Sequence, residues 1–69
     1  MGRMNGATLR KHRKSAGLTQ TDLGNALGVY PSQICRWEQT EVRDFKRIIA
    51  IAEALGIKPA ILLLDALDD

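Results

Sequence analysis

Cys35 and His12, the one thiol and the one imidazole of this sequence, are its readiest nucleophile and base for covalent chemistry. The pairing fails on placement. Leu9, His12 and Ala16 recur at i, i+3 and i+7, which turns the imidazole toward an apolar core, and no acid is placed to orient it. One cysteine cannot close an internal disulfide, and one cysteine with one histidine falls short of a structural zinc site. No glycine-rich phosphate loop is followed by a lysine. The expectation is a protein that is not an enzyme and that carries no metal and no cofactor.

Charge offers a different chemistry. Arg3, Arg10, Lys11, Arg13 and Lys14 all precede the first acid, Asp22, while Asp65, Asp68 and Asp69 close the chain, so a formal net charge of only +2 hides a strong polarity from end to end. A polyanion would be oriented by such a field, and a merely solvated first helix would show the same charges; both readings stay open at this point. At 69 residues, 45% apolar and 26% charged, the sequence has the composition of one small globular domain spanning 1–69. No apolar run exceeds the five residues of Ala60 to Leu64, far below the roughly 20 residues of a membrane span, and no apolar signal-peptide core opens the chain. A soluble, cytoplasmic protein without a membrane partner is expected.

The elements that would position these residues read as five short helices. The first runs from about Gly6 to Ala16 and stops at Gly17. Thr19 then serves as N-cap with Asp22 in the capping-box place, and the second helix reaches Leu27 before Gly28, burying Leu23, Ala26 and Leu27. Pro31 suits the first position of a third helix continuing through Gln39, with Ile34 and Trp37 as its apolar pair. Asp44 caps a fourth helix bearing the broad stripe of Phe45, Ile48, Ile49, Ile51, Ala52 and Leu55, and Gly56 ends it. Pro59 opens a fifth, more apolar than one buried face requires. An all-α, compact five-helix domain follows.

Gln20 to Gln39 holds two of these helices joined through a glycine with very little turn, a helix-turn-helix pattern that an ordinary αα-corner partly shares. The motifs Leu18-Thr19-Gln20, Leu23-Gly24, Leu27-Gly28-Val29, Ile34 with Trp37-Glu38, and Ile51 to Ile57 resemble those of the phage repressor and Cro-like helix-turn-helix family, which are lambda-repressor-like domains. The resemblance extends over about Leu9 to Leu64. The string from Ser32 to Trp37 is also similar to the recognition segment of lambdoid phage lysogeny activators. This resemblance implies that the third helix enters the DNA major groove. Helical geometry then turns Ser32, Gln33 and Arg36 outward, with Tyr30 and Pro31 at the leading edge. Arg36 has the fork for guanine and Gln33 the amide for adenine; a phosphate contact or a solvated side chain is the plainer role for each.

By the same resemblance, phosphate contacts come from Gln20, at the start of the second helix, and from Gln39 and Arg43, with Lys46 and Arg47 extending the positive rim. The loop after the third helix departs from the family pattern: it is a residue shorter, lacks the usual glycine and contains Glu41. Arg13 and Glu38 are implied to form a structural salt bridge, and His12 a partly buried imidazole where relatives have leucine. Cys35 lies beside the reading face, where redox control is open in principle. In the fifth helix Leu62 and Leu63 suffice for the core, which leaves Ile61 and Leu64 for a homodimer interface or, more plainly, for packing on the first or fourth helix. The expected function is a sequence-specific double-stranded DNA-binding transcriptional regulator. It resembles a Cro-like or minimal phage-type repressor that binds operator half-sites as a homodimer and needs no small-molecule effector. The alternative is a Cro-like antitoxin or a helical interaction module whose main partner is a protein.

Overall fold

A computed structural model describes residues 3–68, with side chains through residue 64. Five helices and one short strand pair follow the chain: β1 (Met4–Asn5), α1 (Gly6–Ser15), α2 (Gln20–Leu27), α3 (Pro31–Gln39), β2 (Glu41–Val42), α4 (Phe45–Leu55) and α5 (Pro59–Asp68). Local signals set the boundaries. The Asn5 side chain accepts from the Ala7 amide at 2.8 Å and so caps α1. Thr19 and Asp22 exchange two 3.0 Å bonds in a complete capping box at the start of α2, and the Thr19 amide holds the Asp22 carboxyl below its ordinary pKa. Pro31 occupies the first turn of α3, and Asp44 caps α4 through the Lys46 amide.

The core gathers Met4, Leu9, Leu23, Ile34, Trp37, Val42, Ile48, Ile51, Ala52, Leu55 and Leu62 from all seven elements. Three expectations about burial are corrected. Ala16 is exposed because it is the C-cap of α1, past the last helical turn, and α1 buries Thr8, Leu9 and Arg13 instead. Ala26 is exposed because α2 meets α3 through Leu23 and Gly24, one face away. Phe45 is 52% exposed, since the first position of α4 lies ahead of the turn that reaches the core. Among the described residues no helix is long and apolar enough to cross a membrane.

The strand pair is the addition to the all-helical expectation. Met4 pairs with Val42 and Asn5 with Glu41, antiparallel, and Met4 and Val42 are buried. This pairing draws the start of α1 onto the end of α3, where the Gly6 amide donates to the Thr40 carbonyl at 3.0 Å. A Cβ on Gly6 would fall 2.4 Å from the carbonyl oxygens of both Trp37 and Glu38. Those are backbone atoms, so relief requires moving a helix. Gly6→Ala is therefore expected to destabilise the fold by about 1–3 kcal/mol, the range for overpacked sites. Urea denaturation checks it: a midpoint equal to that of the parent would remove the close approach from the account.

Candidate nucleic-acid interface

The reading surface begins with the joint between α2 and α3. Gly28 takes φ 73°, a left-handed turn that a Cβ would strain, and its amide closes onto the Asn25 carbonyl. The Val29 amide then bonds the Gly24 carbonyl at 2.9 Å, and a Cβ at Gly24 would sit 2.6 Å from the Val29 oxygen. Two glycines thus let the chain double back within three residues. Ile34 and Trp37 are driven into the core, which fixes the rotation of α3 about its axis.

That rotation decides which side chains face solvent. Pro31, Ser32 and Arg36 are exposed, Gln33 is half-buried beside them, and Tyr30 at the leading edge is 82% exposed. The outward set is a hydroxyl, an amide and a guanidinium spaced over about one helical turn, with a phenol ahead of them. Such groups can donate and accept hydrogen bonds.

Behind this face, α3 is clamped to α1 and α2 by charge. Arg13 Nε donates to Glu38 Oε2 at 2.5 Å and Nη2 to Oε1 at 3.3 Å, while Nη1 donates to the Leu18 carbonyl at 2.9 Å. Both side chains are buried, at 9% and 5% exposure. Gln20 Nε2 joins them, donating to Glu38 Oε1 at 3.1 Å. The side chain aimed by the sequence at phosphate is therefore also part of the internal clamp.

The other rim residues are placed as follows. Gln39 is exposed, and its amide contacts Cys35 Sγ at 3.6 Å; Cys35 is half-buried. Arg43 donates from Nε to Glu41 Oε2. This bond holds the Glu41 carboxyl below its usual range and raises the Arg43 guanidinium. Lys46 is exposed on the first turn of α4. Arg47 lies over the Trp37 ring, 4.8 Å from its centroid, and with Gly28, Val29, Tyr30 and Gln33 lines one shallow concavity beside α3. Sequence reasoning missed this stack, because Trp37 and Arg47 lie on different helices, and the Glu41 pairing, because a strand of two residues shows no visible alternation. His12 is half-buried.

On α5, Leu62 is fully buried and Leu63 half-buried, leaving Ile61 at 40% and Leu64 at 59% exposure. The side chains of Asp65, Asp68 and Asp69, the acidic end of the expected charge polarity, lie outside the described residues.

Residues 6–64 match the family described as a helix-turn-helix domain. Among solved structures, the clp gene regulator ClgR from C. glutamicum superposes with a TM-score of 0.79 at 28% identity, covering 91% of this chain and 83% of that one. No match was found among curated proteins.

Proposed function

Because the chain belongs to the helix-turn-helix domain family of DNA-binding regulators, we propose that it reads double-stranded operator DNA sequence-specifically and controls transcription by occupying that site. The observation that carries this reading is the outward set Ser32, Gln33 and Arg36 on a helix whose inner side is locked by Ile34, Trp37 and the Arg13–Glu38 pair. A major groove admits such a helix, and its base edges are distinguished by these groups. Arg36 pairs with guanine, Gln33 with adenine, and Ser32, Tyr30 and Pro31 contact the edges at the entry of the helix. Gln20, Gln39, Arg43, Lys46 and Arg47 hold the flanking phosphates. The similarity to a gene regulator supports a transcriptional role.

The finer proposal is a Cro-like or minimal phage-type repressor that acts as a homodimer. Ile61 and Leu64, adjacent on one face of α5, supply the contact, and two copies present two reading helices to half-sites about 34–36 Å apart. Sedimentation of a monomer at high micromolar concentration, with and without DNA, would remove the dimer.

Arg36→Ala tests the role of the reading helix. Discrimination between a selected site and random duplex should fall by about 1–3 kcal/mol, whereas Lys46→Ala should weaken both duplexes alike. Competition binding on a site enriched from random DNA measures both. Equal losses on the two duplexes for Arg36→Ala would overturn its assignment, and a protein without any specific-to-random ratio would favour the protein-binding alternative.

A further inference from the structure

β1 and β2 bring residue 3 to the loop that leaves the reading helix. Met4 pairs with Val42 and Asn5 with Glu41, and one further step along the same register sets residue 3 across from residue 43. Alternation turns Met4 and Val42 into the core, leaving Arg3, Glu41 and Arg43 on the outer side. Two arginines facing one another across a strand pair repel. Glu41 resolves the conflict: Arg3 Nη1 donates to its Oε1 at 3.3 Å, and Arg43 Nε donates to its Oε2. Each guanidinium takes a separate carboxylate oxygen, the arrangement in which two cations hold one bridging oxyanion. The arginine side chains remain 64% and 77% exposed, so the bracket opens to solvent. Glu41 follows Gln39, the last residue of α3, by two positions, within about 7 Å of chain.

We propose that Glu41 is an internal stand-in for a DNA phosphate, filling the oxyanion position between Arg3 and Arg43 in the free protein and thereby suppressing binding to random DNA. This rests on the DNA-binding reading and adds to it a residue that sets specificity by withholding charge. A backbone phosphate enters the bracket only by displacing the carboxylate. With an amide at position 41, both guanidinium groups are free to neutralise phosphates, and affinity rises where no base contact rewards binding.

Fluorescence anisotropy of wild type and Glu41→Gln on a random-sequence duplex, repeated across a salt series, tests it. Glu41→Gln is expected to bind about tenfold more tightly at low salt, with a log-log salt slope steeper by up to about 1.8 per protomer, the value for two added phosphate contacts. Glu41→Ala should move in the same direction. Glu53→Gln changes net charge equally at an exposed site eight residues, about 12 Å, along α4 from Phe45, and should have a much smaller effect. In an Arg3→Gln/Arg43→Gln background, Glu41→Gln should add nothing. A Glu41→Gln effect no larger than that of Glu53→Gln, or one that persists without the two arginines, overturns the proposal. If wild type binds neither random nor selected duplex, the DNA-binding reading itself fails and the stand-in falls with it.

Discussion

Glu38→Ala is expected to lower folding stability by about 3–5 kcal/mol, the cost of removing one member of a buried ion pair. The loss would come mainly from what remains behind. Arg13 would keep one acceptor, the Leu18 carbonyl, while its Nε and Nη2 lost theirs, and the Gln20 amide would lose its carboxylate as well. With the arginine side chain only 9% exposed, water could not replace those bonds without opening the seam between α1 and α3. A domain of this size has a total stability of only about 3–10 kcal/mol, so the variant should be partly or wholly unfolded near room temperature. Chemical denaturation followed by circular dichroism reads the effect. The second arm of the test is Arg13→Met/Glu38→Leu, which removes both charges together and should recover most of the loss, because the desolvation of two ions offsets much of their attraction. A single replacement that loses under about 1 kcal/mol would mean the pair is solvated in practice, and the rotation of α3 would then need another lock.

The same clamp shows which parts of the site could be read from sequence and which could not. Thr19 with Asp22, Gly28, Pro31 and Asp44 act within a few residues of themselves, so their types alone placed the limits of α2 and α3 and the start of α4. The outward set on α3 was legible for the same reason: once Ile34 and Trp37 face inward, helical geometry leaves Ser32, Gln33 and Arg36 little choice. Long-range pairings carry no such signature. Arg13 and Glu38 are 25 positions apart, and family resemblance, not periodicity, pointed to them. Gly6 reads as a weak helix start, and only the folded chain reveals the two carbonyls of α3 pressed against it. Strands of two residues are too short to alternate visibly, so β1 and β2, and with them the Arg3–Glu41–Arg43 bracket, were hidden. Phe45 shows that apolar type does not mean burial at a helix end, where the first side chain points past the core.

DNA affinity on a selected site is expected to fall about 1,800-fold between 50 and 200 mM salt, the largest functional effect this surface should give. The argument depends on counting cations rather than contacts, since only neutralised phosphates release counterions. Gln20 and Gln39 can hold phosphates by hydrogen bonds, but they add nothing to the slope. On a selected site, where phosphate displaces Glu41 from Arg43, Arg43, Lys46 and Arg47 do, which makes three cations per protomer and six in a homodimer, or a log-log slope of about −5.4. A monomer on one half-site would show about half that slope and lose only about fortyfold over the same range. If Glu41 kept its hold on Arg43 in the complex, the dimer count would drop to four and the loss to about 150-fold. Lys46→Ala should flatten the dimer slope by about 1.8, while Gln39→Ala should weaken binding and leave the slope unchanged. Filter binding or anisotropy on one fixed duplex measures all of these. A slope near zero would exclude phosphate neutralisation as the source of affinity and return the protein-binding alternative to the front. An equal flattening by Lys46→Ala and Gln39→Ala would show that the rim acts through shape and not through the charges assigned to it.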